Sequence, residues 1–148
     1  MQPAGVRLRL VAKDVLQRPL GRVGCQQPAQ RIAEHFAAHA GVAEVLYPGL
    51  PDAAGHAVAA AQMQGGFGGM LSLRVRGGEA AAIAVAAHTR LWKRATSLGG
   101  VESLIEHRAS VEGPGTPAPV DLLRLSVGIE HVDDLIADLE QGIAAASA

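Results

Sequence analysis

LLRLSVGIEHVDDLIADLEQGI, residues 122–143, decides the fold. Leu123, Leu125 and Val127 alternate with Leu122, Arg124 and Ser126, the two-residue period of a strand with one buried face. After Gly128 the period changes. Val132, Leu135, Ile136, Leu139 and Ile143 recur at helical spacing, and Asp133 and Asp134 sit where the positive end of a helix dipole favours them. A strand over 122–130 thus leads into a helix over 131–143. Each has one apolar face, which a layered fold would bury against the other.

Working outward, GGMLSLRVRGG (68–78) repeats the pattern, with Leu71, Leu73 and Val75 opposite Ser72, Arg74 and Arg76. Residues 79–88 form an alanine-rich helix, and TRLWKRA (89–95) reads as a strand. VAEVLY (42–47) is a short strand. Asp52 is placed to cap a helix over 53–64 that Gly65 and Gly66 stop. AQRIAEHFAAHA (29–40) is an amphipathic helix with Pro28 in its first turn and Gly41 at its end. Residues 1–27 read as a loose lead-in, and VEGPGTPAPVD (111–121) as a loop. SLGGVESLIEH (97–107) has no clean period of either kind. The interleaving predicts an α/β chain: a two-layer, α+β-type sandwich with a small, mostly antiparallel sheet and helices on one face.

At 148 residues the chain is the size of one domain. Phe36, Tyr47, Phe67 and Trp92 are its only large aromatics, so Ala, Val, Leu and Ile must build the core. The net charge of −1 and the absence of a basic stripe argue against nucleic acid as a partner. The apolar runs are too short and broken for a membrane span. Arg7, Arg9, Lys13 and Asp14 interrupt the first segment, so no signal peptide is expected. Cys25 stands alone, which excludes an internal disulfide and favours a cytoplasmic setting.

Arg124 projects from the face opposite the expected core, on a rigid element. Its guanidinium has the shape to grip a carboxylate through two parallel hydrogen bonds, although a solvated sheet face would also accept an arginine. Ser97, with Gly99 and Gly100, offers a hydroxyl and accessible backbone N–H groups, but a plain turn fits as well. GGFGGM (65–70) lacks the Gly-Lys-Ser/Thr ending of a phosphate loop. His35 and His39 have metal-ligand spacing without a third ligand in place, and an exposed helical face explains them better, so no metal is expected. Cys25 has no neighbour that would activate a thiol.

Three segments taken in order carry a stronger signal: VAEVLYPGLPDAAGHAVAAAQMQGGFGGMLS (42–72), RATSLGGVESLIEHRAS (94–110) and LLRLSVGIEHVDDLIADLEQGI (122–143). Over roughly residues 20–145 the chain resembles the C-terminal part of the Cys/Met-metabolism PLP-dependent enzymes, the group of cystathionine γ-synthase, cystathionine γ-lyase, cystathionine β-lyase and methionine γ-lyase. The resemblance implies the C-terminal domain fold of aspartate-aminotransferase-like enzymes over 20–148, with residues 1–19 a poorly matched lead-in. It implies that Arg124 holds the α-carboxylate of a small amino-acid substrate. Ser97, flanked by Thr96 and Leu98, would assist beside the cofactor, pyridoxal 5′-phosphate. The parent chemistry would be trans-sulfuration, by γ-replacement or carbon–sulfur elimination.

The resemblance also implies a separate lysine-bearing domain that forms the Schiff base, and a homo-oligomeric parent. Neither Lys13, in VAKDV, nor Lys93, in LWKRA, matches the Schiff-base motif. The chain is therefore expected to hold no catalytic residue, not to hold the cofactor covalently, and to be inactive alone. A fragment, a split subunit and a remnant or assembly module without ligand all fit this expectation. After Glu106-His107 the family often continues P-A-x-M-T-H-A, whereas this chain reads RASVEGPGTPAP. Thr96 lies where the family varies with reaction type, so synthase and lyase stay undivided.

Overall fold

The computed structural model describes residues 19–147, with side chains from residue 24. The five strands are β1 (Val42–Leu46), β2 (Met70–Val75), β3 (Lys93–Arg94), β4 (Leu104–His107) and β5 (Leu122–Ser126). The helices are α1 (Pro19–Ala37), α2 (His56–Gln62), α3 (Gly78–His88), α4 (Arg108–Glu112) and α5 (Val132–Ala146). The strands form one sheet in the order β1-β2-β5-β4-β3. Every neighbouring pair is antiparallel except β3 with β4. This is the two-layer architecture expected from the sequence.

The alternation in β2 and β5 sorts their side chains as read. Leu71 lies opposite Leu125, and Leu73 opposite Leu123. These four are buried with Ile105 against Ile32 and Phe36 of α1, Val85 of α3, and Leu135 and Leu139 of α5. Leu135, Leu139 and Ile143 are buried, while Val132 and Ile136 pack at the margin of the core. Leu135→Ala removes a side chain with no exposure and is expected to cost about 2–5 kcal/mol in denaturant melts. A loss below about half a kcal/mol would show that α5 is not docked through this residue.

Several boundaries differ from the sequence reading. Residues 19–27 belong to α1, not to a loose lead-in, and the helix ends at Ala37, short of Gly41. Pro28 is inside the helix, where a proline normally costs about 3 kcal/mol or more. Cys25 packs on the core before it, and Ala29, Ile32, Ala33 and Phe36 are buried after it, so tertiary contacts hold both sides of the break. Residues 1–18 lie outside the described part of the chain. Asp52 caps nothing: α2 starts at His56 behind Gly55, with no side-chain cap, and buries no residue. Of 89–95 only Lys93–Arg94 is strand, and β5 stops at Ser126 rather than at residue 130.

Asp138 explains the short β3. Its buried carboxylate accepts the backbone N–H groups of Arg90 (2.9 Å), Leu91 (2.7 Å) and Trp92 (3.2 Å). The Trp92 indole N–H donates to the Leu135 carbonyl at 3.1 Å. These bonds turn the N–H groups of 90–92 towards α5, so ladder pairing begins only at Lys93.

The buried Tyr47 donates its hydroxyl to the Gly68 carbonyl at 2.9 Å. Burial, assisted by Cys25 and Glu34, pushes its phenol up to about 12. Because the folded chain resists ionising Tyr47, its contribution is intact below the ordinary phenol value and is lost as pH rises through the folded one. The shift corresponds to roughly 2–3 kcal/mol lost between about pH 10 and 12. Tyr47→Phe should flatten that part of an alkaline stability profile, and an unchanged profile would refute the assignment.

Candidate functional site

β4 is the strand the sequence concealed. It occupies 104–107 of SLGGVESLIEH, and all four residues are buried. Ile105 faces the helices, while Leu104 and Glu106 face the opposite side, level with Ser126 and Arg124 of β5. A strand buried on both faces does not alternate in hydropathy. Here an acidic residue on the second face further masks the period.

The parallel pairing of β3 and β4 accounts for the glycine-jointed residues before it. A chain leaving β3 must return to the starting end before it can run beside β3 in the same direction. Residues 95–103 make that return without a helix, along the face of β5 remote from the core. Three contacts trace the path. Arg124 Nη2 donates to the Thr96 carbonyl, Gly99 N–H donates to Ser126 Oγ at 3.2 Å, and Ile129 N–H donates to the Val101 carbonyl at 2.9 Å. Gly99 has φ +75°, a left-handed conformation that suits glycine at this turn. At Gly128 a Cβ would stand 2.3 Å from the Val101 carbonyl, so the close approach of the two segments requires glycine. Glu130 secures the far end, accepting Ser103 N–H at 2.8 Å and Ser103 Oγ–H at 2.7 Å.

The structure thus brings Arg124 beside residues 96–99, on the sheet face away from α1, α3 and α5. Thr96 meets the guanidinium through its backbone. The Ser97 and Leu98 residues are exposed at the turn. Arg124 is not a lone surface cation. Its Nε lies 2.9 Å from Glu106 Oε1, and Arg108 Nη1 reaches the same oxygen at 2.8 Å. Arg108 also pairs with Glu112, which accepts the Thr116 hydroxyl. The Thr116 hydroxyl and the Arg108 guanidinium hold the Glu112 carboxyl below the usual range despite some burial. An alternating chain of charges therefore runs from Arg124 to the 113–121 loop.

Glu106 and Arg108 were missed in the sequence reading. Their signal is slight: an acidic residue between Ile105 and His107, at a position that only the strand register places opposite Arg124. Beside them, a cleft of about 310 Å³ is lined by Ile83, Thr96, Glu106, His107 and Ser110, among others. His107 is buried, with Nε2 2.6 Å from the Val120 carbonyl and Nδ1 2.6 Å from Ser110 Oγ. A carbonyl only accepts, so Nε2 carries hydrogen and Nδ1 is left for the serine hydroxyl. Both nitrogens are engaged in fastening α4 and the following loop.

His35 and His39 do not sit on a free helical face. Both Nε2 atoms meet Glu140 of α5, at 2.6 and 3.0 Å. Burial pushes the Glu140 carboxyl up, but the hydrogen bonds and charges of the two imidazoles bring it below its usual value overall. Gly41 N–H donates to His39 Nδ1 at 3.0 Å, so this pair of histidines closes the α1–α5 seam. Among the described residues no group of three or more His, Cys, Asp or Glu side chains is arranged to hold a metal ion. Burial raises the Cys25 thiol above its ordinary value, which works against an activated thiolate. No helix among the described residues is long and apolar enough to cross a membrane.

Lys93 is the one lysine among the described residues. It is exposed on β3, with Nζ 3.3 Å from the Arg90 carbonyl. An exposed lysine on the edge strand of the sheet does not fit the enclosed anchor that an aldehyde cofactor requires. Lys13 lies outside the described residues.

The family model described as Cys/Met metabolism PLP-dependent enzyme matches residues 22–144. Cystathionine gamma-synthase of Mycobacterium tuberculosis is 54% identical over 117 residues, covering 76% of this chain and 30% of that protein. Cystathionine gamma-lyase of Saccharomyces cerevisiae is 42% identical, covering 78% of this chain and 32% of its own. The crystal structure of cystathionine gamma synthase from Xanthomonas oryzae pv. oryzae, in complex with aminoacrylate and cysteine, superposes with a TM-score of 0.77 at 43% identity. That match covers 85% of this chain and 35% of the other. The chain spans about a third of the length of the relatives it matches. With all five strands, the 95–103 return segment and all but the last turn of α5 inside the matched region, the chain belongs to the Cys/Met-metabolism PLP-dependent enzymes.

Proposed function

We propose that residues 20–148 are the C-terminal, substrate-binding portion of a PLP-dependent enzyme of sulfur amino-acid metabolism, and that Arg124 receives the α-carboxylate of its substrate. One observation carries this reading: Arg124 is mounted on the central strand, on the face away from the helices, with its guanidinium held against the turn that contains Ser97. A clamp on a rigid element fixes the direction of a bound amino acid as well as its affinity. Thr96, Ser97 and Leu98 form the adjoining wall. The aminoacrylate and cysteine bound by the Xanthomonas oryzae relative support an amino acid as the ligand class.

The lysine-bearing, cofactor-binding part is the partner this face would meet, in a homo-oligomeric, cytoplasmic enzyme acting by γ-replacement or carbon–sulfur elimination. The exposed setting of Lys93 supports assigning the covalent cofactor chemistry to that partner. Two measurements test the reading. The chain alone, mixed with pyridoxal phosphate and reduced with borohydride, should carry no stoichiometric pyridoxyl group on Lys93. Co-expressed with the complementary region of the Mycobacterium tuberculosis relative, it should restore turnover of a sulfur amino acid. Stoichiometric labelling of Lys93, or a folded and assembled complex without turnover, would overturn the proposal.

A further inference from the structure

Where β3 parts from β4, one edge of the sheet is left open. Lys93 N–H donates to the Ser103 carbonyl at 2.9 Å and Ala95 N–H to the Ile105 carbonyl at 3.3 Å, so residues 103 and 105 turn their backbone groups towards β3. From Thr96 the chain crosses to Arg124, and its pairing with β4 has ended. Strand alternation turns the His107 backbone N–H to the same side as those of 103 and 105, where no strand remains beside it. The cleft of about 310 Å³ lies at this gap, with Ile105, Glu106 and His107 on its β4 wall. That volume is at the small end of the range for ligand pockets.

Arg94 supplies a cation to the cleft. It is in register with Ile105 across the parallel ladder, so the two side chains share the sheet face that meets α3. Arg74, Arg108 and Arg124 each face a carboxylate, whereas Arg94 makes no side-chain hydrogen bond or ion pair among the described residues. The single carboxylate in the lining is that of Glu106, and two guanidiniums, Arg124 and Arg108, already meet its Oε1. The charge left unmatched in the cleft is therefore positive. Ile83 of α3 and Val111 of α4 add apolar walls and are 45% and 47% exposed.

We propose that this cleft binds a small aliphatic carboxylate. The carboxylate is received by Arg94 and the His107 backbone N–H, and the hydrocarbon chain lies between Ile83 and Val111. A charged pair at the head fixes one end of the ligand, and each methylene drawn out of water on the apolar walls adds to affinity. The site stands apart from the reading of Arg124 as a clamp, since its anion-binding groups are different. It adjoins that clamp through Thr96 and Glu106, which touch both.

The test is an NMR titration of the ¹⁵N-labelled 148-residue chain with sodium hexanoate, sodium acetate and hexylammonium chloride, with the Arg94 side-chain signal assigned from the Arg94→Ala spectrum. Hexanoate should shift the His107 amide and the Arg94 Nε–H along one saturable curve. Acetate, which lacks the chain, should need a concentration about tenfold higher or more. Hexylammonium should leave both signals in place. Arg94→Ala should weaken hexanoate about tenfold or more, and Ile83→Ser should weaken hexanoate while leaving acetate unchanged. Both side chains are exposed, and the dispersion of the amide signals reports folding in each variant. Arg124→Lys should leave the hexanoate curve where it was. A curve lost in Arg124→Lys and kept in Arg94→Ala would place the carboxylate on Arg124 and overturn the proposal. So would equal binding of hexanoate with acetate or with hexylammonium, or the lack of a saturable shift at His107.

Discussion

Arg124→Ala, introduced into the chain reassembled with a lysine-bearing partner, is expected to raise KM strongly and to lower kcat as well. The two effects have separate origins. Losing the guanidinium removes charge-assisted hydrogen bonds to the carboxylate, which weakens binding. Losing its fixed direction also releases the substrate from the geometry the chemistry needs, and that appears in kcat. A combined loss of about a hundredfold or more in kcat/KM is in keeping with a bidentate clamp. Arg124→Lys should recover only part, because an ammonium is a point charge without the planar fork. A circular-dichroism melt belongs beside the kinetics, since the alanine variant also deprives Glu106 of a partner. Near-normal turnover by a folded Arg124→Ala variant would refute the clamp.

The second large effect is expected at Asp138. In Asp138→Ala the N–H groups of Arg90, Leu91 and Trp92 lose their shared acceptor, and the Trp92 amide is buried where water does not replace it. Buried donors left unpaired cost about 1–3 kcal/mol each, so the loss should be on the order of 3–5 kcal/mol, large beside the stability of a domain of this size. Asp138→Asn keeps one acceptor oxygen and should recover part of the loss. Equilibrium denaturation of the three chains measures this directly. Equal midpoints for the wild-type and alanine chains would mean that the loop is held by something else.

Such dependence on one acidic side chain also shows where sequence reading stops. β2, β5 and α5 were legible because each buries one face and exposes the other, which writes its period into the order of the residues. β4 was not, since Ile105 fills the core while Glu106 is buried on the reverse face by Arg124 and Arg108. Its polarity is cancelled by residues 18 and 2 positions away, and local pattern cannot register such a cancellation. Asp138 has the same difficulty. In VDDLIADLEQ it looks like one more acid on a wet helix face, and only tertiary contact reveals the amides it gathers. Pro28 misled in the opposite direction, because its local preference for a first turn was overridden by packing on both sides of it. As for the candidate site, Arg124 and the Ser97 turn could be named from the sequence, whereas the ion pair of Arg124 with Glu106 depended on strand register.

The order of the strands in the sheet has a consequence for how the site comes into being. β5 comes last in chain order among the described strands, yet it lies at the centre, between β2 and β4. Until residues 122–126 leave the ribosome, β1–β2 and β3–β4 are two separate pairs with no strand to join them, and neither has the charged residue that the other components surround. Closure of the site is therefore expected to wait for the insertion of a strand that carries Arg124 with it. That step must bring together segments some fifty residues apart and is expected to be slow relative to local helix formation.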